Sequence, residues 1–574
     1  MSRILQDFRY ALRMLRKNLG LSVVVVLSLA VGIGANSAIF SVVDALLLRP
    51  LPYPQPERLA NIWLHSPGIG IFRDWPSPGE YLDVRDQNHS FEEMAIAELH
   101  NMTVTGRDQP ERIGVMDTSS SLLHMLGAKP LLGRLLLAEE DQPGKPQVVI
   151  LSYRLWQRLG ADSKIIGKSI NLDGVQRTVA GVLGPEFQLN AEVVPAEMKF
   201  GTAEAFLPLP ISLDRPNLRD DENYNVLVRL KPGVSLQQAQ ADVDVIASRI
   251  REKDHRDRTF GMSVVGLQEQ VVGDVRRTLL VMLGSVALVL LIACANVANL
   301  LLARATARRK EIAIRVALGV GGARIVRQLL TESLLLAMIG GGAGLVLARG
   351  ALDIVGRINP GNIPRLEEIG INSAVLAFTF AISIATGIVF GIAPAWRARN
   401  VDLNTSLKAG GRGSVSDGGL GLRGNQLRGL LVISELALSL MLLIGAGLLV
   451  RSFVRLQSVP PGFDAEHVLS MKVAINGPQK REEMAAFLKT IARFHQDVAD
   501  RVGRLPGVKA EGFISALPLT GSVGWGQINV EGYNPRPGEE FQTDFRAASP
   551  GYFGTMGIPL LKGRFFSDRD TSDG

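Results

Sequence analysis

Five stretches of the chain are apolar enough and long enough to cross a lipid bilayer, and any fold must accommodate them. A spanning helix needs about 20 consecutive apolar residues, and Leu21–Leu48, Leu279–Ala303, Leu329–Ala348, Ala374–Pro394 and Leu430–Val450 all qualify. The first would make about 42 Å of helix against a hydrocarbon core of about 30 Å, so it must tilt or continue into water as a stalk. A cleaved signal peptide has an apolar core of only about 7–15 residues, so this run reads as a retained anchor. With 47% hydrophobic and 20% charged residues, the 574-residue chain is neither wholly soluble nor wholly embedded.

Charge sets the orientation, because short cytoplasmic segments concentrate Lys and Arg. The tail before the first run, the link between the second and third, and the link between the fourth and fifth carry 18 basic residues against 4 acidic ones. These three are expected in the cytoplasm. The whole chain has a net charge of +7, so the remainder is acidic. The basic balance is therefore a topology signal, and nucleic-acid binding loses its main support. Alternation then places residues 49–277 and 452–574 outside the cytoplasm. The lone Cys294 falls within the second span, so the exported segments cannot form a disulfide.

The expected fold class is an α-helical membrane protein with mixed α/β extracytoplasmic domains on helical stalks. Residues 1–19 form a basic amphipathic helix, with Ile4, Leu5, Phe8, Leu12 and Leu15 at helical spacing, expected to lie on the inner leaflet, with a solvated helix docked on protein as the alternative that the same pattern fits. The spans occupy residues 20–48, 278–303, 329–350, 374–395 and 429–451; cytoplasmic links occupy 304–328 and 396–428, with a short external loop at 351–373. In the first exported segment, Asp173-Gly174 between Ser169–Leu172 and Val175–Val182 signals a tight hairpin. Ser235 and Gln238 have capping-box spacing ahead of a helix from Leu236 to about Lys253. Leu267–Arg277 is expected to extend the second span outward.

A repeat links the two exported segments. Leu122-Leu123-His124-Met125-Leu126-Gly127 with Gly133-Arg134 matches Tyr552-Phe553-Gly554-Thr555-Met556-Gly557 with Gly563-Arg564 at an offset of 430, and acidic residues follow both copies. The first copy is followed by about 140 further residues before a span, whereas ten follow Arg564. The expectation is a second such domain cut short, in a chain of about 800 residues with about three more spans. A natural stop codon directly after Gly574 would refute it.

Catalytic constellations do not emerge. Gly160 and Gly167-Lys168-Ser169 are too far apart for a phosphate-binding loop, the seven histidines show no metal-ligand spacing, and no serine sits in a G-x-S-x-G elbow. No cofactor or metal site is expected. Within the spans, Asn36, Asn296, Asn299 and Glu435 are costly unless paired, and read as helix-bundle contacts, although Glu435, about two turns inside the cytoplasmic boundary, is explained as well by snorkelling as by an ion pair. Gly340 and Gly344 have the spacing that lets helices approach closely.

The link between the second and third spans is more elaborate than a connector needs to be. Glu311 and Arg315 are in the favourable i,i+4 order, Ile312, Val316 and Leu318 add an apolar face, and Gly319 to Gly322 permits a bend. Gln328 and Glu332 share a face of the next helix. Such a loop looks built to dock something.

RRKEIAIRVALG (Arg308–Gly319) and RQLLTES (Arg327–Ser333), with PAWRARNVDLNTSLKAGGRG (Pro394–Gly413), resemble the permease subunits of MacB-like and FtsX-like ABC transporters. LAVGIGANSAIFSVVDALLLRPLPY (Leu29–Tyr53) and PGYFGTMGIPLLKGRFF (Pro550–Phe566) resemble a subgroup with the permease duplicated in one chain. The resemblance implies mechanotransmission: two copies of a cytoplasmic ATPase close on ATP, coupling helices move with them, and the spans pass that motion to exported domains. Ile312, Val316 and Leu318 would then pack on the ATPase, with Glu311, Arg315, Gln328 and Glu332 as polar fixings. The macrolide exporter itself carries a fused ATPase, whereas this chain starts at the membrane-surface helix, so the ATPase is expected to be a separate protein. Val320 stands where the family more often has alanine. A pseudo-dimer and a homodimer both stay open. A bacterial inner-membrane location follows, with membrane lipid and a periplasmic adaptor or substrate protein as further partners. Efflux, lipoprotein handling and activation of a cell-wall hydrolase are not separated by these residues, and a membrane-anchored receptor or adhesion protein is the competing class.

Overall fold

The computed structural model describes residues 2–570 except 107–108, 146, 190–192, 196–201, 212–217, 220, 255–258, 308–321, 359–364, 400–420, 465, 474–483, 520–524, 529, 534–541 and 568. They divide into two compact units, Met1–Pro50 with Val272–Ser458 and Leu51–Val271 with Val459–Gly574.

In chain order, the helices are α1 (Ser2–Lys17), α2 (Leu19–Val43), α3 (Pro78–Gln87), α4 (Ser121–Met125), α5 (Tyr153–Arg158), α6 (Leu236–Lys253), α7 (Leu267–Ala307), α8 (Gly322–Ile358), α9 (Ser373–Arg399), α10 (Gly421–Gln457), α11 (Met484–Gly503) and α12 (Tyr552–Thr555). Five of them, α2, α7, α8, α9 and α10, contain runs that are long and apolar enough to cross a membrane. The third span runs past its expected end at residue 350 into the expected external loop: α8 continues through a more polar stretch to Ile358, because Arg349–Ile358 holds no proline and its two glycines, Gly350 and Gly356, weaken a helix without ending it. Likewise α7 is one helix of 41 residues that begins at Leu267, as the unbroken sequence there predicts.

The helical unit has its own apolar core, where Val25, Leu29 and Ile33 of α2 meet Leu290, Cys294 and Val297 of α7, Leu336 and Ala337 of α8 and Phe390 of α9. By contrast, no described residue of Val432–Gln457 in α10 is buried. In lipid that exposure needs no protein partner, since acyl chains are as apolar as leucine.

The other unit holds an eleven-stranded mixed sheet over Leu51–Val271, ordered β11-β1-β10-β3-β4-β9-β6-β8-β5, with β2 beside β1 and β7 beside β3 and β8. Its strands are β1 (Leu59–Ser66), β2 (Ile71–Asp74), β3 (Phe91–Thr105), β4 (Glu111–Thr118), β5 (Pro130–Gly133), β6 (Val148–Leu151), β7 (Ser169–Leu172), β8 (Val175–Leu183), β9 (Ala203–Pro208), β10 (Asn225–Leu230) and β11 (Gly261–Gly266). The tight hairpin forms as predicted, with Asp173 and Gly174 at φ of +51° and +81°. The Ser235–Gln238 capping box also closes, and opens α6.

Two apolar cores sit along this sheet. One gathers Ile62, Tyr81, Ile96, Val228, Val243 and Ile246 beneath α3 and α6. The other gathers Val104, Ile113, Val149, Leu155 and Val179. β3, at 15 residues, serves both: Met94 and Ile96 belong to the first, Met102 and Val104 to the second. Glu98 and His100 have the same parity and fall between them, since side chains on a strand alternate.

The later segment reproduces the local geometry around α4. Leu126 N bonds Leu122 O, and Ala128 N bonds Leu123 O at 2.9 Å; 430 positions on, Met556 N bonds Tyr552 O, and Ile558 N bonds Phe553 O at 2.9 Å. Gly127 and Gly557 both take positive φ, at +71° and +63°, which favours glycine. Arg134 grips Glu140 in a two-pronged ion pair whose carboxylate also accepts the Leu137 amide at 2.8 Å; Arg564, Asp570 and Ser567 repeat this, again with 2.8 Å at the amide.

Candidate functional site in the helical bundle

At the end of the bundle nearest the 304–328 link, α1 is tied to protein. Asp7, Ala11 and Leu15, one turn apart, are buried, and Leu15 joins the bundle core. Arg327 Nε, near the start of α8, donates to Asp7 Oδ2 at 2.7 Å. Only part of the amphipathic face is left to meet lipid headgroups: Phe8 stays 45% exposed. The sequence pattern left the two dockings open, because apolar spacing does not tell a lipid-facing stripe from a protein-facing one.

Of the predicted coupling residues, Glu311, Ile312, Arg315, Val316, Leu318 and Gly319 lie outside the described residues. Gln328 is half-buried on α8, and Glu332 is buried within the bundle, 5% exposed. Gln328 is thus the accessible member of that pair.

Deeper in the spans, Asn36 is buried and its Nδ2 donates to Gly32 O and to Val286 O, both at 2.8 Å, joining α2 to α7. Asn299 is half-buried, its Oδ1 sealed from solvent with no partner among the described residues. Asn296 is exposed and Glu435 half-buried on α10, so these two do not converge on Asn36. Sequence reasoning missed the Ser37 and Thr379 hydroxyls, which lie 2.7 Å apart and bridge α2 to α9. Small hydroxyl residues are common in spans and carry little signal singly.

Glycine sets the approach of the first span to the third. A β-carbon added at Gly34 would lie 2.7 Å from Gly344 O, and one at Gly340 would lie 2.7 Å from Leu29 Cβ. The Gly340/Gly344 spacing thus does what the sequence predicts.

In the α/β unit, charged groups collect where the two apolar cores meet. Glu98 of β3 stands directly opposite Asp117 of β4, and His100 Nε2 lies 4.0 Å from Asp117 Oδ1. Burial pushes Glu98 up to about 7, with His100 opposing and Asp117 adding to the rise. Burial also pushes Asp117 up to about 7 against the pull of Arg177, and draws His100 below its ordinary value. About a quarter of the Asp117 side chain is accessible, yet its Oδ1 is sealed off without a hydrogen-bond partner among the described residues. The arrangement can hold a proton near neutral pH. No group of three or more metal-ligating side chains occurs among the described residues.

Residues 22–246 match the family profile of the MacB-like periplasmic core domain, and residues 283–403 that of the FtsX-like permease C-terminal domain. Over 313 residues the chain is 26% identical to the pyoverdine export ATP-binding/permease protein PvdT of Pseudomonas syringae pv. syringae, covering 52% of this chain and 44% of that one. Over 410 residues it is 24% identical to the macrolide export ATP-binding/permease protein MacB of Marinobacter nauticus, covering 69% and 57%. The chain thus spans about half the length of these relatives. The periplasmic region of MacB from Actinobacillus actinomycetemcomitans superposes with a TM-score of 0.28 at 12% identity, covering 38% of this chain and 92% of that one.

Proposed function

We propose that the chain, with its MacB-like periplasmic core match over residues 22–246 and FtsX-like permease match over 283–403, is an ABC-transporter permease that transmits mechanical work. ATP closure on a separate cytoplasmic ATPase, present in two copies, moves the 304–328 link; the spans carry the displacement to the α/β domain, which acts on substrate outside the inner membrane. The N-terminus then lies in the cytoplasm and both exported segments in the periplasm. The observation that carries this reading is the permease match over residues 283–403, whose bounds take in the second span, the link, and the third and fourth spans. Export as the task follows from the likeness to relatives named for pyoverdine and macrolide export.

The link docks through Ile312, Val316 and Leu318, flanked by Glu311, Arg315 and Gln328, with Gly319 as the bend. Glu332 braces α8 from inside the bundle. The test is co-purification of the full chain with the ATPase encoded beside it, comparing unaltered protein with Glu311→Lys plus Val316→Asp. Loss of at least nine-tenths of the associated ATPase is expected; unchanged association and ATP turnover would overturn the coupling role.

A further inference from the structure

The end of the bundle away from the link contains a closed polar clasp around Arg365. This side chain is fully buried, and every edge of its guanidinium is used. On one side Nε and Nη2 donate to the two carboxylate oxygens of Glu368 at 2.9 and 2.6 Å. On the other, Nη1 donates to Arg49 O at 3.0 Å and Nη2 to Pro50 O at 3.2 Å. Those carbonyls belong to the residues at which the first span ends, where the helical ladder no longer supplies donors.

Arg49 is held from two directions. Its Nη2 donates to Asp44 Oδ2 at 3.0 Å, and its Nη1 lies 3.9 Å from Glu368 Oε2. Asp44 Oδ2 also accepts from Asn372 Nδ2 at 2.7 Å, while Asn372 Oδ1 accepts the Val375 amide at 2.9 Å and so caps α9. Two guanidinium groups and two carboxylates make the clasp formally neutral. Burying an arginine is costly unless its charge and donors are matched, and a span end needs no such investment merely to stop. Arg365 also adopts a left-handed backbone at φ +51°, which side-chain-bearing residues rarely accept.

We propose that Arg365 is a positioning residue that fastens the entry of the fourth span to the exit of the first, delivering displacement of the third and fourth spans to the main chain at Arg49-Pro50. This rests on the mechanical reading above and deepens it. The third and fourth spans are closely packed, with a β-carbon at Gly387 of α9 placed 3.1 Å from Leu334 Cα of α8. The third span follows the docking link directly. Movement of the link therefore reaches α9, the clasp turns it into movement of Arg49-Pro50, and the chain enters the α/β domain at Leu51. Without the clasp, the first span would receive that movement only through side-chain packing within the bundle.

The test uses the full chain in lipid vesicles in a Cys294→Ala background. Spin labels at Leu48→Cys and Leu376→Cys, both exposed positions, report the distance across the clasp. Arg365→Gln is expected to broaden that distance distribution at least twofold, and Asp44→Asn, which spares Arg365 and its carbonyl contacts, to broaden it less. An unchanged width in Arg365→Gln would overturn the proposal. A second label pair, Leu376→Cys with Phe72→Cys, is followed in the complex with the co-purifying ATPase before and after ATP. Arg365→Gln is expected to keep ATP hydrolysis within twofold while losing the ATP-driven distance change. Retention of that change, or hydrolysis and distance change falling in equal proportion, would overturn the positioning role. If the protein with Arg365 intact shows no ATP-driven change while the first pair still responds to Arg365→Gln, the mechanical reading and the delivery role fall together, and only the clasp stands.

Discussion

Glu98 and Asp117 face each other across β3 and β4 between two apolar cores, a place where like charges are unfavourable. Both carboxyls are raised to about 7. In the unfolded chain they ionise near 4, so the folded state binds more protons between those values. Their contribution is therefore fully present below about pH 4 and is lost as pH rises through about 7. We expect the thermal midpoint of the α/β domain to fall between pH 5 and 8, by an amount corresponding to roughly 5 kcal/mol for the two carboxyls together. The double variant Glu98→Gln with Asp117→Asn should flatten that slope, and calorimetry of the full chain at several pH values would decide it. An equally steep slope in the variant would place the titration elsewhere. At Asn36, replacement by Leu removes the bond to Val286 O and should cost about 1 kcal/mol, read as a lower thermal midpoint in detergent; no change would mean that the α2–α7 contact rests on packing alone.

Helices α2 and α8 approach until backbone touches backbone at Gly34 and Gly344, so a larger side chain at either position must part them. Gly344→Leu is expected to destabilise the bundle by about 1–3 kcal/mol. Gly445→Leu on α10, where an added β-carbon meets nothing within 4 Å, should be near neutral. Equal midpoints for the two variants would contradict the close approach. The spans, the Asp173-Gly174 hairpin and the start of α6 were legible in the sequence because each rests on local rules: apolar length, positive φ, a capping box. The clasp was not, since Asp44, Arg49, Arg365 and Asn372 meet across more than 300 positions and each looks like an ordinary loop or span-end residue. Nor did the sequence show that Glu332 turns inward while Gln328, one turn earlier, stays accessible. Helical spacing puts both on one face without saying how far a neighbouring helix reaches.

For the molecule as a whole, the alternation of basic and acidic segments makes an orientation that can be checked directly. In a Cys294→Ala background, cysteines at Phe72 and Leu469, which are 79% and 96% exposed, should react with a membrane-impermeant maleimide on intact spheroplasts. A cysteine at Val316 should react only after permeabilisation. Labelling of Val316→Cys in intact spheroplasts would invert the topology and remove the link from any cytoplasmic partner.

The duplicated turn carries a consequence for synthesis. Arg134 with Glu140 and Arg564 with Asp570 are near-identical closures, so each arginine could in principle capture the other copy's carboxylate. A six-residue closure forms in well under a microsecond, whereas translation at roughly 5–20 residues per second separates the two arginines by roughly 20–90 s. The first turn has long since shut when the second leaves the ribosome, and four spans have been made in between. Order of birth thus protects the pairing, and a circular permutant that brought the two copies together in time would be the form most exposed to exchange between them.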